Sequence, residues 1–487
     1  MEDIDISLIK KRSVRGVLAL VYRTFAIQLL GFGANLILTI FLSPSVFGVY
    51  FVVSAAIAFL SYFSDIGLAA ALIQKKEPIT DEDLRTTFTI QQALVVTLVI
   101  AALLLSGFIK SFYKLDSEGI LLFQVLVISF FLSSLKTIPS IILERSLRFD
   151  RLVIPQLAES VVFNATAVLL AINGFGVTSF TVAVLLRGIV GLIAIYIISP
   201  WKISLGFSTK TAKKLLSFGV PFQANSLLAL IKDDLLIVYL GKVLPLSQVG
   251  YIGFAQKWAF MPLRLIMDNV IRITFPSFSR LQNDKIMLGK AVEKSLFASA
   301  FLIFPSLVAL IIFAPFLTKI IPKYAKWEPA LMSLTFFSLN ACLSSISTPL
   351  TNALNAIGKI RTTLYLMIFW TSSTWILTPF LINVFGYNGV SIASFLVATS
   401  VFIVVYLVKK YVDFNPTIVF YPVFASIFMG LFLYLSTHYL PSSIFHLSLA
   451  LFLGLIIYFG IIFMLAKEIL LSDFKFIKEN IFKKWGN

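Results

Sequence analysis

Charged residues are scarce in this chain of 487 residues: they make up 13% of it, against 59% hydrophobic residues. A soluble protein of this length needs far more polar surface, so the composition excludes a soluble globular fold. The single cysteine, Cys342, excludes an intramolecular disulfide and a thiolate metal cluster. Two histidines and no phosphate-binding glycine motif argue against metal chemistry and against ATP hydrolysis by this chain. We expect no metal, no cofactor and no enzymatic activity.

Long apolar runs are what the chain does have, and its mean hydropathy is +0.95. A bilayer core of about 30 Å needs about 20 apolar residues per helix. The sequence therefore predicts an all-α polytopic membrane protein with 14 transmembrane helices. The predicted spans are roughly residues 17–42, 46–73, 87–109, 118–143, 152–172, 179–200, 215–240, 246–274, 292–317, 330–356, 361–383, 389–408, 417–437 and 446–466.

Basic residues between the spans predict the orientation. Lys10, Lys11, Arg12 and Arg15 precede a first span that is too long for a cleaved signal, which favours an uncleaved anchor. With that start, 26 of the 40 Lys and Arg residues fall on the cytoplasmic side and six on the outer side. This bias predicts a cell-membrane protein with both termini in the cytoplasm. Topology and anionic lipids account for the net charge of +17, so no nucleic acid partner is expected.

Three turns recur along the chain in the same order. The paired turns are 42–50 with 244–251, 147–149 with 358–361, and 172–176 with 382–386. Short Gly/Asn turns also recur by chance, but three matches in register favour an internal duplication. Because six is even, the sequence predicts two parallel six-helix repeats plus two additional C-terminal helices.

These patterns divide the chain into six segments. They are a cytoplasmic basic N-terminus (1–16), an N-lobe of spans one to six (17–200), a cytoplasmic basic linker (201–214), a C-lobe of spans seven to twelve (215–410), spans thirteen and fourteen (411–466), and a cytoplasmic amphipathic basic tail (467–487). The tail alternates apolar and basic residues at helical spacing, which predicts a helix lying on the inner leaflet. A partner-binding role for the tail is the alternative.

Ionisable residues inside the spans are the candidate functional residues, because a charge in hydrocarbon is costly and usually faces a wet cavity. Six of the eight basic residues inside the spans indicate an anionic cargo: Arg23, Lys136, Arg187, Lys232, Lys257 and Arg264. Five acidic residues are counter-ion or ion-coupling candidates: Asp65, Glu159, Asp233, Asp234 and Asp268. For any one of these residues, a purely structural interhelical salt bridge is an equally good interpretation.

The stretch from Leu42 to Phe88 closely resembles Wzx-type oligosaccharide flippases of the multidrug/oligosaccharidyl-lipid/polysaccharide (MOP) superfamily. Further segments that fit the same pattern are Leu143–Phe149, Phe218–Pro221, Val249–Tyr251 and Phe275–Arg280. The resemblance implies two six-helix lobes around a basic cavity. It also implies a polyprenyl-pyrophosphate-linked oligosaccharide as cargo, moved from the inner to the outer leaflet.

By the same resemblance, Arg23 matches a basic position that related lipid II flippases use for the pyrophosphate, and Asp233 or Asp234 matches an acidic position of span seven. The hypothesis is that the six basic residues bind the pyrophosphate. Gln28, Asn35 and Asn225 are the candidates for sugar contact. The expected partners are the glycan lipid, membrane lipids and polysaccharide biosynthesis enzymes.

Two other functions remain open at this point. A cation-coupled drug antiporter shares the superfamily fold, but six basic groups would repel its usual cationic cargo. A membrane glycosyltransferase or polysaccharide polymerase generally needs a sizeable outer loop with catalytic carboxylates. The longest predicted outer connection, around Lys319 to Glu328, is short and mostly basic.

Overall fold

The structure, a computed structural model, describes residues 6–75, 77–224, 227–439 and 443–480. The chain forms two compact units, Met1–Gly253 and Phe254–Asn487. All secondary-structure elements assigned in the described ranges are helices, which confirms the predicted all-α polytopic class. The six segments predicted from the sequence have boundaries that differ from the boundary between these two units, and that division of the chain remains a prediction.

The first unit contains eleven helices and the start of a twelfth. They are α1 (Ile6–Phe41), α2 (Pro44–Asp65), α3 (Leu68–Gln74), α4 (Asp81–Leu104), α5 (Ser106–Phe112), α6 (Ser117–Ser134), α7 (Thr137–Arg145), α8 (Phe149–Ile172), α9 (Thr178–Ile198), α10 (Thr209–Ala224), α11 (Leu227–Val243) and α12 (Leu246–Arg280).

The second unit contains the rest of α12 and the helices that follow it. They are α13 (Lys285–Ile320), a 3₁₀ helix (Pro322–Ala330), α14 (Leu331–Ala356), α15 (Ile360–Phe385), α16 (Asn388–Ala398), α17 (Val401–Lys409), a second 3₁₀ helix (Pro416–Val419), α18 (Phe420–Tyr439) and α19 (Ile444–Asn480).

Within the described residues, twelve helical segments are long and apolar enough to cross a bilayer. The two predicted spans outside this set are 215–240 and 246–274. The first corresponds to α10 and α11, of 16 and 17 residues, and the second to α12, which carries several charges. Helices α10 and α11 are each too short to be counted as a span, and the polar residues of α12 lower its hydropathy, so the count of fourteen remains a prediction.

Besides 215–240, four predicted spans consist of two helices each, with the break in described residues, which corrects the sequence-based expectation of continuous helices. The pairs are α2 with α3, α4 with α5, α6 with α7, and α16 with α17. Between α2 and α3 the backbone turns through Ile66 and Gly67, both with positive φ (46° and 73°). Apolar periodicity alone does not reveal such turns, because the side chains on both sides are equally apolar.

One pair of the repeated turns has the same hydrogen bonds at both copies. Leu147 and Gly358 both have positive φ, 54° and 78°. The Arg148 N–H donates to the Leu143 carbonyl at 2.9 Å, and the Lys359 N–H donates to the Leu354 carbonyl at 2.8 Å. These are the bonds of a Schellman cap, which satisfies carbonyl groups at the end of a helix. The matched sequences therefore fold into matched helix ends.

The first repeated turn brings two helix starts into direct backbone contact inside the first unit. A Cβ atom on Gly48 of α2 would lie 1.7 Å from the Leu246 carbonyl oxygen of α12. A Cβ atom on Gly250 of α12 would lie 1.9 Å from the Pro44 carbonyl oxygen of α2. The contact is reciprocal, since each glycine faces the residue four positions before the other. Only glycine permits this close approach of two helices.

The last two helices pack on α13 in the second unit. Their buried contacts include Phe297, Met429, Leu433 and Tyr458, and the Tyr458 hydroxyl donates to the Phe301 carbonyl at 2.8 Å. Their other faces expose large apolar residues such as Phe452 and Met464. Backbone at Ala466 departs from helical geometry (φ −127°, ψ 28°), next to the predicted tail at 467–487. Residues 481–487 lie outside the described ranges.

The glycine contact leads to a stability prediction. We expect Gly48→Ala and Gly250→Ala each to lower the free energy of unfolding by about 1–3 kcal/mol, because the added methyl group forces α2 and α12 apart. Gly107→Ala and Gly460→Ala are matched controls, since their Cβ atoms would have nothing within 4 Å. Thermal denaturation of the detergent-solubilised protein measures the effect. Wild-type melting temperatures for both contact variants would show that the helices do not meet there.

Candidate functional site

Helix α8 carries a row of polar residues that contacts three other segments of the first unit. The Glu159 carboxylate lies 2.6 Å from Lys136 Nζ and 3.6 Å from Arg187 Nε. Lys136 occupies the break between α6 and α7, and Arg187 lies on α9. Two cations thus share one carboxylate, so the three side chains together carry a net positive charge.

Exposure differs sharply between the two cations. The side chains of Lys136 and Glu159 are 16% and 13% exposed, while that of Arg187 is 52% exposed. A buried pair requires good geometry to offset desolvation, and the 2.6 Å contact provides it. The Arg187 guanidinium lies 5.8 Å above the Phe163 ring of α8. Lys136 is therefore held in place by its ion pair with Glu159, and Arg187 is the more exposed of the two cations.

A glycine on α9 makes room for the shared carboxylate. A Cβ atom on Gly191 would lie 2.0 Å from Glu159 Oε1. Any larger residue there would displace the carboxylate from Lys136 and Arg187. The close approach of α8 and α9 at Gly191 and the buried ion pair of Lys136 with Glu159 therefore lie at the same position in the first unit.

Arg23 reaches the same face of α8 from α1. Its Nη1 donates to Gln156 Oε1 at 2.6 Å, about one helical turn before Glu159. Three of the six predicted basic residues, Arg23, Lys136 and Arg187, therefore lie along one helix face. Sequence reasoning missed Gln156, although its spacing of three residues from Glu159 within a span was a usable signal.

The remaining candidates of the first unit have other surroundings. Lys232 of α11 lies 3.6 Å from its neighbour Asp233, whose side chain is exposed. Asp65 accepts the Ala69 N–H at 3.1 Å and so stabilises the first turn of α3. Neither Asp65 nor Asp234 forms an ion pair with another residue in the described ranges. Gln28 is partly buried on α1, and Asn35 is buried. Asn225 lies outside the described residues.

Helix α12 carries the other two predicted basic residues on one exposed face. Lys257, Arg264, Asp268 and Arg272 share that face at helical spacing, and all four are exposed. The opposite face is buried in the second unit, where Met267 packs with Ile303, Leu307 and Ala341. In the described part of the chain, Asp268 forms no ion pair. The structure thus places Lys257 and Arg264 on a polar surface of an otherwise apolar helix.

Acidic and sulfur ligands are dispersed. Among the described residues, no group of three or more His, Cys, Asp or Glu side chains could hold a metal ion. The clustered groups are cations and amides, whose chemistry is the binding of anions and hydroxyls rather than of metals.

More than half of the sequence, residues 37–331, matches the family described as polysaccharide biosynthesis protein. The chain belongs to the polysaccharide biosynthesis protein family. The matched region contains Lys136, Glu159, Arg187, Lys232, Lys257 and Arg264, and it begins after Arg23.

Several curated proteins are similar to this chain at low sequence identity. It is 24% identical over 370 residues to an uncharacterized membrane protein in the cps region of Klebsiella pneumoniae, covering 72% of this chain and 74% of the relative. It is 23% identical to the succinoglycan biosynthesis transport protein ExoT of Rhizobium meliloti, covering 56% and 55%. It is 24% identical to the lipopolysaccharide biosynthesis protein WzxC of Escherichia coli, covering 67% and 66%. The chain thus spans less than two thirds of the latter two.

Solved structures show the same fold. A lipid II flippase MurJ in an inward closed conformation superposes with a TM-score of 0.77 at 17% identity, covering 93% of this chain and 100% of that one. An inward-facing MATE multidrug resistance transporter of the MOP superfamily superposes with a TM-score of 0.60 at 16% identity, covering 81% and 98%. These two likenesses show the fold that the predicted membership of the MOP superfamily implies.

The shared carboxylate can be tested by its effect on stability. We expect Glu159→Gln to lower the free energy of unfolding by about 3 kcal/mol, because Lys136 is then buried without a counter-charge. Glu77→Gln breaks the exposed pair with Lys214, 2.9 Å apart, and should change stability little. Combining Glu159→Gln with Lys136→Met removes both charges and should recover part of the loss. Thermal denaturation is the measurement, and equal melting temperatures for Glu159→Gln and Glu77→Gln would contradict the assignment.

Proposed function

We propose that this protein is a flippase that moves a polyprenyl-pyrophosphate-linked oligosaccharide from the inner to the outer leaflet by alternating access. The observation that carries the proposal is the cationic cluster at α8. In this cluster Lys136, from the break between α6 and α7, and Arg187 of α9 share the Glu159 carboxylate of α8. A cluster with excess positive charge on membrane-spanning helices is costly unless it meets an anion or water. A pyrophosphate with a lipid tail supplies such an anion at membrane depth.

Arg187 is the proposed first contact of the pyrophosphate. Its guanidinium is half exposed and is held near Phe163, so it is partly ordered before any ligand binds. Guanidinium groups bind phosphate oxygens through paired hydrogen bonds, which a lysine ammonium does not reproduce. Arg23, Lys232, Lys257 and Arg264 are the further basic residues of the proposal, and Gln28 is its preferred sugar contact.

The names of similar proteins support this cargo class. ExoT is named a succinoglycan biosynthesis transport protein, WzxC a lipopolysaccharide biosynthesis protein and MurJ a lipid II flippase. A further relative, TuaB of Bacillus subtilis, is named a teichuronic acid biosynthesis protein. Membrane lipids and polysaccharide biosynthesis enzymes are the other partners that the proposal includes.

The proposal includes fourteen spans, arranged as two parallel six-helix repeats plus α18 and α19, with both termini in the cytoplasm. The matched Schellman caps at Leu147 and Gly358 support the duplication. So does the reciprocal contact of Gly48 and Gly250, because two equivalent segments meet through equivalent atoms. Parallel repeats about an axis along the membrane normal suit alternating access at their interface.

A cation-coupled drug antiporter is the alternative within the same fold, and the charges disfavour it. The exposed face of α12 carries three basic residues, Lys257, Arg264 and Arg272, and one acidic residue, Asp268. A surface of this sign attracts anions and repels cationic drugs.

Binding of the pyrophosphate tests the central claim. We expect Arg187→Gln to weaken binding of undecaprenyl pyrophosphate to the purified protein about tenfold, since a hydrogen bond to a charged group contributes about 1.5–3 kcal/mol. Arg85→Gln is the matched control, because Arg85 is similarly exposed (49%) and also pairs with one carboxylate, 3.9 Å away on Asp81. Equal loss in both variants, or no loss in either, would contradict the assignment.

Transport tests the wider set of cations. We expect Arg23→Ala and Arg264→Ala each to abolish flipping of a pyrophosphate-linked lipid in vesicles of phosphatidylethanolamine and phosphatidylglycerol, while membrane insertion stays normal. The physical reason is that each change removes a positive charge proposed to offset the pyrophosphate within the membrane. Normal flipping by both variants would exclude these residues from the path.

A further inference from the structure

A second polar feature adjoins the cluster on α8. A cavity of about 360 Å³ lies among α3, α6 and α7 in the first unit. Its lining includes Ser133, Lys136, Thr137, Ser140 and Glu144. Lys136 therefore belongs to both features, since the same side chain lines the cavity and pairs with Glu159 at 2.6 Å.

The break between α6 and α7 shapes this cavity. Helix α6 ends at Ser134 and α7 begins at Thr137, so Lys136 sits at the corner. The Tyr196 hydroxyl donates to the Leu135 carbonyl at 3.1 Å and satisfies a backbone group that the break exposes. The break is thus stabilised by the surrounding helices and holds the cavity residues in place.

Glu144 is the residue of this cavity that nothing else in the structure explains. Its side chain is half-buried, and burial raises the pKa of its carboxyl group. Across the described ranges its carboxylate forms no ion pair and accepts no hydrogen bond, although its backbone carbonyl accepts the Leu147 N–H at 3.0 Å. The Ser140 hydroxyl likewise has no partner there, whereas Thr137 accepts the Gln91 side-chain N–H at 2.9 Å. A half-buried polar group without a partner costs free energy unless water or a ligand satisfies it.

The chemistry of the lining selects one class of ligand. Three hydroxyl groups, one carboxylate and one ammonium group offer both donors and acceptors within a small volume. A lipid chain would leave Glu144 and Ser140 unsatisfied, and a second anion would meet the Glu144 carboxylate. A single carboxylate is too few for a divalent cation, which prefers several oxygen ligands of that kind. A neutral molecule rich in hydroxyl groups can bond to both Glu144 and Ser140.

We propose that this cavity binds a sugar residue of the lipid-linked glycan, with Glu144 and Ser140 bonded to its hydroxyl groups. The inference rests on the proposed function and extends it, because Lys136 joins the cavity to the cluster that would hold the pyrophosphate. One ligand would then place its charged part at Arg187 and its sugar in the cavity.

Binding of two kinds of lipid tests the inference. The probes are undecaprenyl pyrophosphate and the same lipid carrying one glucose, galactose or N-acetylglucosamine, each titrated into purified full-length protein. We expect the wild type to bind at least one sugar-bearing lipid about tenfold more tightly than the sugar-free lipid, which corresponds to about 1.4 kcal/mol. Glu144→Ala and Ser140→Ala should reduce this ratio towards one while binding of the sugar-free lipid is unchanged.

Matched controls separate local from general effects. Glu118→Ala removes a carboxylate from the first turn of α6, and Ser306→Ala removes an exposed hydroxyl that bonds to the Leu302 carbonyl of its own helix. Both should retain the wild-type ratio. An unchanged ratio in the cavity variants, or equal weakening of both lipids, would overturn the inference.

Failure of the inference and failure of the proposed function give different results. If the wild type binds sugar-free lipid through Arg187 but prefers none of the sugar-bearing lipids, the cavity assignment is wrong and the flippase proposal survives. If the wild type binds none of the lipids, both are wrong.

Discussion

A positive charge inside a membrane-spanning helix needs a counter-charge, a polar partner or water, because hydrocarbon offers it none. In the first unit this constraint fixes how four segments meet. Glu159 of α8 pairs with Lys136 and Arg187, and Gln156 accepts from Arg23 one turn away. Apolar packing alone would allow these helices to slide along one another. The polar contacts define their register, and Gly191 provides the space that the carboxylate occupies.

The basic residues of α12 in the second unit have more exposed surroundings. Helix α12 carries Lys257 and Arg264 on an exposed face, opposite the face that packs with Ile303 and Leu307. The two arrangements have different energetic consequences. Buried paired charges define a geometry, whereas exposed charges set an electrostatic potential over a surface. In the proposed function, the first arrangement determines where the pyrophosphate is held and the second determines which ions approach.

Sequence patterns predicted the helical membrane class and family well, because composition and apolar run length express them directly. Individual contacts were predicted less well. Of the residues predicted as counter-ion or ion-coupling candidates, Glu159 lies 2.6 Å from Lys136 Nζ, whereas Asp65 accepts a backbone N–H at the start of α3. The breaks at Gly67 and Lys136 lie next to a few polar residues, such as Asp65 and Ser134, but the apolar runs on both sides are long enough to be predicted as one span each. Glu144 depends on tertiary neighbours that no local pattern encodes, whereas Gln156 could have been found from its spacing of three residues from Glu159.

The contact between α2 and α12 consists of main-chain atoms at Gly48 and Gly250. Backbone groups do not titrate, and their packing is insensitive to salt over the range that screens surface charges. The strength of this contact is therefore independent of pH, of ionic strength and of any charged molecule bound elsewhere. A substitution of a cationic residue elsewhere in the protein therefore requires no compensating change where α2 and α12 meet.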